Sequence, residues 1–232
     1  MSGKNNSTPS SVLCSISIYF KEIISKISLN STLSLQFVLE QSERMWVKMN
    51  EVISAIKTRR SIRKFKPEQI KDEELNLILE AAIYAPSGHN EQPWHFTVIQ
   101  NKELIDHFSR VTKEAMAKSD IDWISSMGRS EKLHLFYNAP TLVVVSGRKD
   151  AYSPLADCCA AIQNMLLAAH SIGLGSCWLG LTSFLFEMEE EVAKLNLPEG
   201  YKPYFTVALG YPDLKKELKT PERKKDVVNY IR

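Results

Sequence analysis

The chain has 232 residues, 44% of them hydrophobic and 24% charged, a composition that affords a sizeable core in one generous domain or two small ones. Lys+Arg 29 against Asp+Glu 27 leaves a net charge of only +2, which argues against a surface built throughout to hold nucleic acid. No apolar run approaches the ~18 residues that suggest a membrane span.

Residues 1–48 differ from the remainder. MSGKNNSTPSS is polar and turn-prone, a composition of disorder. SVLCSISIYFKEIISKISL is β-branched and serine-rich but interrupted by Lys21, Glu22 and Lys26, and it lacks the charge pattern and cleavage site of a secretory signal. The expectation is a dispensable N-terminal extension before a domain over 49–232, with Met49 or Met45 as the native start.

In the patterned part, Val52, Ile53 and Ile56 share one face of a short helix that ends near Lys57–Arg60. DEELNLILEAAIYA reads as a helix opened by acidic residues, with Leu75, Ile78, Leu79 and Ala82 at helical spacing, and Pro86 and Gly88 stop it. HFTVIQ (95–100) reads as a strand, and a helix follows near 102–118. Residues 119–138 lack clean periodicity and suit a mobile cover. TLVVVSG (141–147) is a continuous apolar run expected at the centre of a sheet. The alanine-rich stretch 155–172 predicts a helix apolar all round, buried in a core or against a second subunit. SCWLGL is the next strand, EMEEEVAKLNL a charged surface helix, and PYFTVALGY a last strand. The tail 212–232 carries a basic cluster and then VVNYI, an apolar end in need of a surface. Strands and helices mix without strict βαβ alternation, so the fold class is α+β, a central mixed or antiparallel sheet flanked by helices.

GLGSCWLG (173–180) admits two readings. Gly175-Ser176-Cys177-Trp178 copies most of the signature around a papain-type cysteine, yet only 55 residues follow Cys177 (232 − 177) and none is histidine. An apolar strand gives a thiol neither access nor an electropositive setting, so Cys177 reads as structural. Trp178 stands where a dinucleotide fingerprint requires its third glycine. The four cysteines contain no C-x-x-C pair and the five histidines no H-E-x-x-H spacing. The expectation is a reduced, cytoplasmic, metal-free protein.

Three further stretches carry candidate chemistry. KTRRSIRKF places Arg59, Arg60, Ser61 and Arg63 at a helix-to-extended junction, where forked guanidinium donors and a hydroxyl suit a phosphate. In an extended segment Arg59, Ser61 and Arg63 share a face; a solvated basic surface is the alternative. APSGHNEQPWHF gathers Pro86, Ser87, Gly88 and Asn90 in a loop before a strand, where backbone N–H groups and short polar side chains suit a planar heterocycle, or else form a plain turn. Trp94 reads as core. Arg223, in ERKKD, is a further phosphate candidate.

In this order, and with LNLPEGYKPYFTVALGYP between the last two, these stretches resemble the nitroreductase family of FMN-dependent oxidoreductases, most of all its smaller clostridial-type members. The resemblance covers 49–232 and leaves residues 1–48 without a counterpart. It implies that Arg59 and Ser61, with Arg60 in the same run, hold the FMN phosphate and ribityl chain, that Arg63 sits near N1 and O2 of the flavin, and that Arg223 closes on the phosphate. It implies that Pro86, Ser87, Gly88 and Asn90 reach the flavin largely from the other subunit of a homodimer, and that Leu179 and Gly180 offer N–H groups toward N5 and O4. The implied reaction passes hydride from NADH or NADPH through flavin N5 to a nitroaromatic, quinone or similar acceptor by ping-pong kinetics. No side chain acts as acid or nucleophile, and Arg63 tunes the flavin. A physiological substrate other than a nitro compound remains an alternative. No polar segment like that of iodotyrosine-acting members aligns onto 110–135, which argues against that activity. A nucleic-acid-binding protein using Lys57–Lys66 is the reading from another class, weakened by the charge balance and the lack of interleaved aromatics.

Overall fold

The computed structural model describes residues 51–216 and 218–232. The expectations for residues 1–48 lie outside the described residues. Four strands form one antiparallel sheet: β1 (Trp94–Ile99), β2 (Thr141–Arg148), β3 (Gly175–Leu179) and β4 (Tyr201–Gly210), in the order β1-β2-β4-β3. The expected strand 141–147 therefore occupies a central position, paired with Trp94–Ile99 on one side and with β4 on the other. Its register sets Thr141 opposite Leu209 and Val143 opposite Val207, with an irregularity between Val145 and Ser146.

Both faces of the sheet are covered, which explains why β2 is an unbroken apolar run. Alternate residues of a strand point to opposite faces, and here Leu142 and Val144 enter one cluster while Val143 and Val145 enter the other. The first cluster packs Phe108 and Met116 of α3 (Lys102–Met116) with Phe136 and Cys177. The second packs Ile78 and Ala82 of α2 (Asp72–Ile83) with Ala161, Ile162 and Met165 of α5 (Pro154–Ser171). The helix starts are locally encoded. Three acidic residues open α2 and the Asn101 side chain accepts from Leu104 N at 2.9 Å to cap α3. Pro154 occupies the first turn of α5, where a missing N–H costs nothing.

Several expectations are corrected. Residues 119–138 are packed rather than a loose cover: α4 (Asp122–Arg129) buries Ile124, and Leu135 and Phe136 enter the core. Gly128 permits this, because a Cβ there would lie 2.4 Å from Ala117 N and 2.6 Å from Lys113 O. The charged stretch 187–197 is helical only over five residues, α7 (Glu189–Ala193), and a four-residue helix, α6 (Ser183–Phe186), precedes it. Glu191 is buried there, bonded by His107 at 2.8 Å and Lys194 at 2.6 Å. Burial alone would raise its carboxyl pKa, but those two donors outweigh burial and hold it low. Helix α5 is buried along one side only, with Leu155 48% exposed. Helix α1 (Glu51–Thr58) buries no residue: Ile53 and Ile56 stand 44% and 49% exposed. The tail ends with Val227, Val228, Tyr230 and Ile231 all exposed. Among the described residues no helix is long and apolar enough to cross a membrane.

Candidate functional site

After α1 the chain extends along the free edge of β3. Ile62 N donates to Ser176 O at 2.9 Å, and Lys66 N donates to Tyr211 O at 2.9 Å. Gly175 is required for this approach, because a Cβ would meet three atoms of Ile62 at 2.9–3.1 Å. The extended run 59–63 is thus laid beside Ser176–Gly180, and the chain brings KTRRSIRKF and GLGSCWLG together.

Arg59 is half-buried, and its Nη1 is buried without a hydrogen-bond partner. Burial first, then the charges of Arg60 and Arg223, push its pKa below the ordinary arginine value. The exposed Arg223, 164 positions away (223 − 59), is thus near enough for its charge to act on Arg59. A half-buried cation with an unpartnered donor is stabilised by an anion, so this end fits a phosphate.

Arg63 marks the other end. It lies 5.9 Å from the centroid of the Tyr137 ring and lines a cleft of about 150 Å³ with Cys177, Leu179 and Gly180. Met127, Leu135 and Tyr137, from the segment expected to be a cover, form its opposite wall. The space beside Gly180 is open, with nothing within 4 Å of where a Cβ would stand. Cys177 is 1% exposed and burial raises its thiol pKa despite Arg63 and Arg59 nearby, so it is structural as expected.

The loop of Pro86, Ser87, Gly88 and Asn90 lies elsewhere. Gly88 N donates to Asp157 Oδ1 at 3.1 Å and Ser153 Oγ donates to the same oxygen at 2.9 Å, which fixes the loop to the start of α5. Ser87 Oγ accepts from Gln92 N at 3.0 Å. His89, Asn90 and Gln92 all take positive φ (52°, 56° and 46°), left-handed backbone that non-glycine residues adopt at a cost of order 1–3 kcal/mol each. At the far end of α5, His170 Nε2 lies 2.8 Å from Thr58 Oγ1, one residue from Arg59. The 13 steps along the helix from Asp157 to His170 (170 − 157) separate the two half-sites by about 20 Å at 1.5 Å per residue.

Thr58, His170 and Tyr137 lie in these surroundings and were not expected as site residues. Burial first, then the charges of Arg59 and Arg60, lower the pKa of His170. Among the described residues no group of three or more His, Cys, Asp or Glu is placed to hold a metal.

The family model described as the nitroreductase family matches residues 56–211. A crystal structure of a nitroreductase with bound FMN from Bacteroides fragilis is 39% identical, covers 79% of this chain and 100% of its own, and superposes with a TM-score of 0.72. A protein of Archaeoglobus fulgidus, named for NADH dehydrogenase and NAD(P)H nitroreductase activities, is 37% identical over 175 residues, 73% of this chain and 90% of the relative. An iodotyrosine deiodinase of Thermotoga neapolitana is 30% identical over 173 residues, 71% of this chain and 90% of the relative.

Proposed function

We propose, on the premise that this chain belongs to the nitroreductase family, that it is an FMN-dependent oxidoreductase which works as a homodimer and draws electrons from NADH or NADPH. The observation that carries the reading is the buried, unpartnered Arg59 Nη1, on an extended run that continues along β3 to Arg63 and Gly180.

Bound FMN would supply the redox chemistry, accepting hydride from a nicotinamide and passing electrons to an acceptor. Arg59, Ser61 and Arg223 would hold its phosphate, and the Arg63 guanidinium would set a fixed cation beside the ring, which favours the gain of negative charge there. Leu179 and Gly180 offer backbone beside an open space, and Gly180 lets a flat group lie close. Met127, Leu135 and Tyr137 exclude water from that edge. No acid or nucleophile is needed, and the one thiol at the cleft is too buried to serve as one.

The separation of the half-sites supports dimerisation. Within one chain the loop carrying Asn90 sits about 20 Å along α5 from the arginines, so a partner's loop completes the site. Exposed Ile53, Ile56, Leu155 and the tail's Val227, Val228, Tyr230 and Ile231 supply apolar surface for that association. The three described cysteines are free, in keeping with a reducing cytoplasmic setting.

The test is an absorbance spectrum of purified protein and chromatography of its heat-released chromophore, followed by NADH and NADPH oxidation with nitroaromatic, quinone and iodotyrosine acceptors. A flavin spectrum, released FMN and parallel double-reciprocal lines support the reading. A colourless protein that takes up no added FMN sinks it, and a monomeric mass with flavin bound sinks the dimer. Turnover of iodotyrosine but of no nitro compound or quinone would move the substrate to that of the Thermotoga relative.

A further inference from the structure

A second basic cleft lies under the chain that leaves β4. Its volume is about 710 Å³, its cationic wall is made of Arg60, Lys215, Lys216 and Lys219, and His170 lines it as well. Arg59, Ser61 and Arg223 are not among its walls, and no described carboxylate lines it. The tail that roofs it is fastened by Asp213 N to Lys64 O at 3.0 Å, by the Lys64–Asp213 ion pair at 2.8 Å, and by a hydrogen bond from Arg60 to Thr220.

Two buried polar atoms of this cleft have no partner: Arg60 Nε and Ser176 Oγ, the latter on a residue 2% exposed. The two Nη groups of Arg60 are engaged, by Lys57 O at 2.8 Å, Arg59 O at 2.7 Å and Thr220, so the guanidinium is held rigidly while Nε is left over. The Thr58 hydroxyl donates to Ser54 O at 2.7 Å, so its oxygen accepts from His170 Nε2 and leaves Nδ1 as that ring's open position. Buried donors left unpaired cost about 1–3 kcal/mol each, and this cleft holds two beside several cations. Its floor is apolar, made by Ile62 and Leu174. A cationic rim over an apolar floor, with volume far beyond one phosphate, fits a phosphate attached to a larger flat body.

We infer that this cleft is a second phosphate site, separate from that of the flavin, which takes the phosphomonoester of a nucleotide. The inference rests on the flavin reading for the assignment of Arg59, Ser61 and Arg223 to another phosphate, and it takes Arg60 out of the flavin's set, because Arg60 lines this cleft instead. Two sources share this chemistry: a ribose phosphate of the phosphorylated nicotinamide donor, and a free nucleotide.

The experiment is calorimetric titration of the FMN-loaded protein with 2′,5′-ADP, 5′-AMP and inorganic phosphate, in the wild type and in Lys215→Ala/Lys219→Ala. Both lysines are exposed, so the fold tolerates the change. Flavin content is read first by absorbance, which separates failure of the flavin reading from failure of this one. The loaded wild type should bind the phosphomonoesters, and the double variant should bind them roughly tenfold more weakly at unchanged flavin content. Competition of 2′,5′-ADP with NADPH in turnover assigns the site to the donor, and saturable binding without competition assigns it to a free nucleotide. Three results overturn the inference: no binding by loaded protein, binding only by the flavin-free form (the cleft then being the flavin phosphate's own seat), or undiminished binding by the double variant.

Discussion

Replacing Arg59 by alanine should weaken FMN binding while leaving the flavin-free protein as stable as the wild type or more so. Its Nη1 is buried with no partner, and Arg60 and Arg223 repel it. A charge-assisted bond to phosphate contributes about 1.5–3 kcal/mol, and 2 kcal/mol raises Kd about 30-fold. With FMN at 100 times the wild-type Kd, binding stabilises the wild type by about 2.7 kcal/mol. In the variant the ratio falls to about 3, and the stabilisation to about 0.9 kcal/mol. Without FMN the substitution removes a desolvated, unpaired cation, so the melting temperature holds or rises. Thermal denaturation of both proteins, with and without FMN, reads both effects, and quenching of FMN fluorescence gives Kd directly. If flavin-free Arg59→Ala melts as far below its wild type as the loaded variant does below loaded wild type, Arg59 is a structural residue and the phosphate argument fails.

Gly175→Ala should cost about 1–3 kcal/mol by overpacking against Ile62. Combined with Ile62→Ala it should cost clearly less than the sum of the two, and additive losses in a denaturation cycle would refute the contact. Alkylation of the native protein at pH 8, followed by peptide mapping, should label half-buried Cys159 before Cys158, whose thiol burial pushes up to about 12, and before Cys177. Prior labelling of Cys177 would reopen its chemical role. His134 has a pKa pushed below its ordinary 6.5 by burial, which outweighs the Asp106 carboxylate. Its contribution to stability is therefore present above pH 6.5 and declines as pH falls through that value. His134→Gln should flatten this part of the stability profile; an unchanged slope between pH 7 and 5 would count against it.

The sheet was legible because its signals are local. TLVVVSG needed no knowledge of its neighbours to be read as central, since only a strand covered on both faces tolerates apolar residues at every position. The arginines of KTRRSIRKF were legible for the same reason: hydroxyl and guanidinium chemistry is concentrated within five residues. What failed depended on distant partners. Glu191 looked like part of a charged surface helix until His107, 84 residues away, turned it inward. Helix α4 escaped notice because it is eight residues long and is held by Gly128 against the α3 backbone, a close approach that leaves no periodic trace. His170 and Ser176 gained meaning only from the fold, since one closes α5 against Thr58 and the other faces the tail. The length of α5 was readable, yet that it would hold the Asn90 loop and the arginine run apart was not.

That spacing has a genetic consequence. If each cofactor seat is shared between subunits, a chain carrying Arg59→Ala and a chain carrying Asn90→Ala are each inactive as a pure assembly. Co-expressed, they form mixed dimers in which one seat inherits both lesions and the other inherits none. Such dimers should carry half the wild-type pigment per mole, and two silent alleles should restore one another's activity. A shared seat also makes α5 intolerant of change: one residue inserted between Asp157 and His170 would turn its two ends by about 100° and shift them by about 1.5 Å relative to one another. Variation in length is therefore expected in the surface connections and not within that helix.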